Sequence, residues 1–498
     1  MIGTSRAELY FIRVSVVVFR YTPALCAFAL LLLYLSGINA SWKIFATVIL
    51  ALSLAAEGLF YLLAWRPAQA RLRLKAVYPP PLTSPERRAL FEKCIDNMQS
   101  PERYLQGWFL GADLQDIRRE NLREFIMWAF FDREETDFGD WSASEEQDME
   151  YFIHLIEERL GKIIEPGRAP VKSLRLNIDG IHTTYRSLAW YIVIFFVDQF
   201  THLALWFHGF QYYTAESNRD VFPPRPQRFL TAHQSEAPGL SYWYSPQKDA
   251  DDTNVPIIFF HGIGVGLLTY IRFLAGLKKS NRAGIIAIET LPISFRLTSS
   301  PLDRVEFLRQ VNLVLDHHNW ETFAIATHSY GSVQAAHILH SPSMRSRVSA
   351  IAMIDPVTIM LHLPPVAYNF TRRLPSRANE WQLWYFASTD PGVAHCLGRH
   401  LFWRDNIIWK DDLVQRRGPD GSRIGNRRVA VILSGQDIIV DVPSVAKYLE
   451  VRGQDALDLN GDGKVLVKVF QELDHAQVFD YREACDEAID IVTSCCDS

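Results

Sequence analysis

Ser329 sits in Thr327-His328-Ser329-Tyr330-Gly331, directly after the apolar, β-rich run Thr322 to Ala326 and directly before the amphipathic stretch Ser332 to His340. A serine between a strand and a helix, with glycine two residues on, marks a sharp turn that presents the hydroxyl at the end of a sheet. The chemistry on offer is nucleophilic. A serine hydroxyl is inert at neutral pH until a base removes its proton during attack. The expected base is His475, which closes Glu472-Leu473-Asp474-His475 after the strand-like run Lys464 to Phe470. Asp437, closing Ser434-Gly435-Gln436-Asp437 after the strand-like Val429 to Leu433, is the carboxylate expected to orient the histidine ring. Upstream, Val255 to Phe260 runs into His261-Gly262-Ile263-Gly264. The backbone N–H groups of Ile263 and Tyr330 would receive a developing oxyanion, with Gly262, Gly264 and Gly266 leaving the backbone open to a substrate.

Other residues compete for these roles. Asp355, ending the strand-like Ala350 to Asp355, is the alternative acid. Asp474 abuts His475 and reads as a loop-fixing residue, and Asp441 lies near enough to Asp437 that a register error would exchange them. The turn points His328 away from the nucleophile, and His261 reads as a structural hydrogen-bonding residue. Thr327 stands where a glycine commonly precedes the serine. The scheme calls for no metal and no cofactor. Asp458 to Gly463 mimics half of a calcium loop, but Val469 occupies the position that needs a bidentate glutamate, so a turn is expected there. Asn369-Phe370-Thr371 and Asn39-Ala40-Ser41 match the glycosylation sequon.

These residues need a scaffold. Strand-like runs at 240–244, 255–260, 284–289, 322–326, 350–355, 429–433 and 464–470 alternate with helical stretches, the pattern of a buried, mostly parallel sheet. The predicted domain is 240–498. An insertion at about 356–428, dense in aromatics such as Trp381, Trp384 and Trp403, reads either as a lid suited to an apolar acyl substrate or as a cap that only shields the core. Residues 78–239 read as a helical linker region that opens on the stiff Pro-rich Tyr78 to Pro81. Within it, helix starts are expected at Ser84-Pro85-Glu86, Ser100-Pro101-Glu102 and Ser144 to Gln147.

Apolar spans at about 14–36 and 42–65 within residues 1–77 predict a transmembrane hairpin. Arg6, Arg13, Arg66, Arg71, Arg73 and Lys75 flank it, against Lys43 alone between the spans, so both ends and the C-terminal domain are expected on the cytosolic side. Arg20 and Glu57 lie within the spans and must snorkel or find partners, each other among them. The apolar segment 188–210 carries Asp198, His202 and His208, and is expected as a helix lying on the bilayer or against the core rather than a third span. A net charge of -5 with mixed signs offers no stripe for nucleic acid. Six scattered cysteines suit a reducing compartment, with Cys495 and Cys496 as ordinary tail thiols.

From Leu240 onward the chain resembles the α/β-hydrolase superfamily. More narrowly, His328 to Ser332, Asp355-Pro356-Val357, Asn379 to Asp390 and Asp474 to Phe479 are similar to a group of fungal membrane-anchored α/β-hydrolases of mostly unassigned substrate. The resemblance implies the fold and the triad Ser329, Asp437 and His475. The expectation is a membrane-anchored serine hydrolase of a hydrophobic or lipid-like ester or thioester, partnered by the bilayer. An acyltransferase with the same triad, or a non-catalytic binding protein on this fold, is the alternative.

Overall fold

The computed structural model describes residues 2–36, 40–134, 141–247, 255–280, 283–449 and 465–496. The break expected at 37–39, with the sequon residue Asn39, and the turn expected at Asp458 to Gly463 lie outside the described residues. The strands among these are β1 (Gln211–Thr214), β2 (His233–Gln234), β3 (Ser241–Ser245), β4 (Ile257–Phe260), β5 (Ile285–Glu289), β6 (Phe323–His328), β7 (Val348–Ile354), β8 (Gln415–Arg417), β9 (Arg423–Asn426), β10 (Arg428–Ser434) and β11 (Val465–Phe470).

Nine strands form one sheet in the order β11-β10-β7-β6-β4-β5-β3-β1-β2, and β8 and β9 pair separately. From β11 across to β5 every pairing is parallel, and β3 then joins antiparallel. Helices cover both faces, and strand alternation feeds each of them. Ile258, Phe260, Ile286 and Ile288 enter one hydrophobic cluster, while Ile257, Phe259, Ile285 and Ala287 enter the other. The fold is an α/β-hydrolase fold, and its six parallel strands carry their C-terminal ends to one edge.

Three expectations change. First, β1 and β2 extend the sheet back to residue 211, ahead of the boundary expected at 240. They are four and two residues long, too short to leave a periodic signal. Second, 84–176 is no linker. Phe91, Phe125, Phe130 and Phe152 share one core with Leu361, Trp403 and Trp409 of the insertion. Trp108 Nε1 donates to the His362 carbonyl (3.2 Å), and Trp403 Nε1 to that of Ala129 (3.0 Å). The insertion's aromatics therefore serve a second hydrophobic core as well as the site. Third, Cys495 and Cys496 are fully buried in the helix Arg482–Cys496. Two helix starts also shift, with Thr83 and Ser142 as the caps, each reciprocated by a glutamate three residues on.

Helices α1 (Arg6–Leu35), α2 (Ala40–Phe60) and α3 (Leu188–Phe207) are long and apolar enough to cross a membrane. They differ in what covers them: 6%, 11% and 33% of their most apolar windows are buried, α2 being counted with its continuation to Arg71. One face of α3 packs on the sheet domain through Trp190, Tyr191, Ile194 and Leu205. On the same face Asp198 accepts from Arg296 Nε (3.0 Å) and lies 3.7 Å from Arg225, which is paired with Glu289 at 2.8 Å. The opposite face exposes Phe196, Phe200, Leu203, Trp206 and Phe207. Arg20 and Glu57 do not pair. Glu57 accepts from the Tyr185 hydroxyl and from Leu188 N–H (3.0 Å) at the start of α3, and Arg20 lies over the Tyr21 ring.

Candidate active site

Ser329 follows β6 with φ at +50°, a left-handed conformation that costs a serine energy and must be held by its surroundings. Gly331, starting the helix α4 (Gly331–Leu339), explains part of that hold. A Cβ there would lie 2.2 Å from the Phe260 carbonyl oxygen, so only glycine lets the helix seat against the end of β4. Thr327 is accommodated because it is still within β6, paired with Phe260 and Met353, and the turn begins only after His328. Its Oγ1 is buried without a partner.

The ends of β6, β10 and β11 bring Ser329, Asp437 and His475 together. Ser329 Oγ–H donates to His475 Nε2 at 2.8 Å, and Nδ1–H of the same ring donates to Asp437 Oδ2 at 2.7 Å. The other Asp437 oxygen accepts from the N–H groups of Ile439 (2.7 Å) and Val440 (3.0 Å), which fixes the carboxylate plane. Burial disfavours the imidazolium, yet the Asp437, Asp355 and Asp474 carboxylates outweigh it and His475 is pushed up to about 9.

Asp355 does not bond the ring. It sits fully buried at φ +44° and accepts from Ser434 N–H (2.8 Å), Ser434 Oγ (2.9 Å) and Ala476 N–H (3.0 Å), bracing β10 against the His475 loop. Burial pushes its carboxyl up to about 6. Asp474 accepts from Ile438 N–H (3.0 Å), His475 N–H (2.7 Å) and Asn379 Nδ2 (2.6 Å), so it latches the acid loop, the base loop and the insertion together. Asp441 caps the helix Val442–Tyr448 through Ser444 N–H and is not exchanged with Asp437. Donor atoms of Asp355, Asp437 and His475 lie within 4.8 Å of one another. Each of these residues is already engaged, His475 Nδ1 with Asp437 and Asp355 with Ser434 and Ala476, so this grouping offers a cation little.

The loop after β4 lies against the turn. A Cβ on Gly262 would meet His328 Nδ1 at 2.6 Å and Ser329 Cβ at 2.8 Å, whereas one on Gly264 would meet nothing within 4 Å. Gly266 has φ +74°. Gly262 N–H donates to the Tyr270 hydroxyl (3.0 Å), which in turn donates to the buried His328 Nδ1 (2.7 Å). Burial holds His328 well below its usual range and His261 at about 4, so both are neutral. His261 Nδ1–H donates to the Gly262 carbonyl (2.7 Å) while Nε2 accepts from Thr290 N–H (2.9 Å), which shapes the loop. Among the described residues, neither Ile263 N–H nor Tyr330 N–H is spent on a protein acceptor. Tyr270 sits in no motif, and Asn379 opens the resembling stretch Asn379 to Asp390 without any role being legible from it.

Ser329 opens into an apolar pocket. Its walls come from three regions: Ile263, Tyr330 and Ile439 of the sheet domain, Val357, Phe370 and Trp403 of the insertion, and Trp108 and Trp128 of the helical block. The lining is almost wholly apolar, so a bound acyl group would be held by burial, with polar contact confined to the serine end.

No protein-family model matches the chain, and no curated protein does. Among solved structures it is similar to naproxen esterase from Bacillus subtilis (14% identity over 51% of this chain and 87% of that one, TM-score 0.34). It is also similar to carboxylesterase CesB from Bacillus subtilis (12%, 60% and 98%, TM-score 0.34) and to a membrane phospholipase A described as a bacterial virulence factor (13%, 62% and 94%, TM-score 0.36).

Proposed function

We propose that the protein is a membrane-anchored serine hydrolase that cleaves a carboxylic ester or thioester of a hydrophobic, lipid-like molecule. The 2.8 Å contact from Ser329 Oγ to His475 Nε2, continued at 2.7 Å to Asp437, carries the reading. Ser329 Oγ attacks the carbonyl carbon as its proton passes to His475 Nε2, and the free N–H groups of Ile263 and Tyr330 receive the oxyanion. As the tetrahedral centre collapses, the proton moves from His475 to the departing alkoxide or thiolate. A water then gives its proton to His475 and attacks the acyl-Ser329 carbonyl. The carboxylic acid leaves and the serine hydroxyl is restored.

The apolar cavity supports a hydrophobic acyl group, and the exposed apolar faces of α1 and α2 support the bilayer as partner. With basic residues flanking both outer ends of the hairpin, the chain crosses twice and keeps its catalytic domain on the cytosolic side. No nucleic-acid partner enters this reading. Labelling of membranes with a fluorophosphonate probe tests it. Wild type is expected to label and Ser329→Ala to lose the signal, whereas equal labelling of the two removes the enzyme reading.

A further inference from the structure

A second cavity adjoins the one at Ser329, and the two share Leu176, Thr371 and Leu397 as a common wall. Its character differs. The inner cavity is apolar, while the outer one is also lined by His182, Arg372, Arg373, Ser388 and Thr389. Its walls are tied by neighbouring residues to the outer ends of the hairpin. Thr183 Oγ1 donates to Gln69 Oε1 (3.0 Å), and Arg399 Nε donates to the Leu74 carbonyl (2.8 Å). On the far side Trp384 packs on Trp381 (5.4 Å between rings), over which Arg13 lies, and Gln382 accepts from Ile2 N–H (2.9 Å).

The outer cavity thus sits between residues 2–13 and 69–74, where both helices of the hairpin leave their apolar stretches. The dividing residue Leu397 belongs to a π-helical turn, Cys396–His400, and Trp384 and Ser388 to another, Leu383–Ser388. Wide turns of this kind concentrate at functional sites. Arg373 also donates to the Ile438 carbonyl (2.7 Å), next to Asp437, so this chamber reaches the acid loop.

From this placement we infer that the outer cavity is a second subsite of the proposed hydrolase. It takes the polar head group of a membrane amphiphile whose scissile bond lies at Ser329 and whose acyl chain lies in the inner cavity. The subsite rests on the serine-hydrolase reading for its purpose but not for its test. Ser329→Ala protein in phosphatidylcholine vesicles is irradiated with a diazirine-tagged monoacyl glycerophosphocholine, and cross-linked peptides are mapped.

Adducts are expected within 176–182 and 384–398. Gly180→Trp, placed where a Cβ meets nothing within 4 Å, should cut them at least about tenfold without moving the thermal unfolding midpoint. The exposed His182→Trp is the second variant should the first unfold. Adducts confined to α1, α2 and α3, or adduct yields unchanged by either folded variant, overturn the subsite. Wild-type protein that binds the probe here yet fails to label with fluorophosphonate removes the hydrolase reading and leaves the subsite standing.

Discussion

Replacing Asp437 with asparagine separates two effects that the wild-type site holds together. The carboxylate contributes most of the lift that takes His475 from 6.5 to about 9 against the opposing pull of burial. At about 1.4 kcal/mol per unit, that lift corresponds to roughly 3 kcal/mol of preference for the imidazolium in the folded state. Its sign fixes a pH window. A histidine raised on folding contributes its full stabilisation below about pH 6.5 and loses it as pH rises through about 9. Activity runs the other way, because only neutral His475 can take the Ser329 proton, so kcat/KM should climb across the same interval.

In Asp437→Asn both trends shrink. The acid limb falls from about 9, because burial is then opposed only by the Asp355 and Asp474 carboxylates, and the decline in stability between pH 6.5 and 9 flattens. An amide donating to Nδ1 also forces the proton onto Nε2, the wrong atom for a base. A loss of about 10³–10⁴ in kcat/KM is expected at every pH. Hydrolysis of a short p-nitrophenyl ester from about pH 5 to 10, paired with urea denaturation over that range, reads both quantities. A wild-type acid limb near 6.5, a variant limb still near 9, or a loss below tenfold refutes the reasoning.

Gly262→Ala places a methyl 2.6 Å from His328 Nδ1 and 2.8 Å from Ser329 Cβ, so it should displace the turn, reduce ester turnover at least 100-fold and cost about 1–3 kcal/mol in urea denaturation. Asp355→Ala strips acceptors from two buried N–H groups and the Ser434 hydroxyl, and denaturation should register a loss of about 2–4 kcal/mol with fluorophosphonate labelling slowed as the His475 loop loosens.

The parallel core was legible because its strands are continuous apolar runs with turn residues on each side. The site was legible because Ser329, Asp437 and His475 each end such a run. Assignment of the acid between Asp437 and Asp355 was not fixed by spacing. Both end adjacent strands, and the difference lies in which backbone groups claim the carboxylate. Tyr270 bridges Gly262 and His328, and Asn379 bonds Asp474, through hydrogen bonds between separate segments, which leave no periodic trace. The aromatics of the insertion were visible, but their partners, Phe125, Phe130 and Trp128, lie more than 200 residues away in sequence, so the shared core read as a lid and a linker. Glu57, an acid inside an apolar span, needs a partner by its type alone, and it finds Tyr185, and Leu188 at the start of α3.

The hold of Tyr185, Leu188, Thr183 and Arg399 on Glu57, Gln69 and Leu74 makes the hairpin a rigid mount rather than a leash. On the proposed reading, with α1 and α2 in a bilayer, the body would have a fixed height and attitude, so Ser329 would not reach across to a second membrane or sample the bulk. The search for substrate would then be two-dimensional, and the concentration that governs the rate would be a mole fraction in the protein's own membrane.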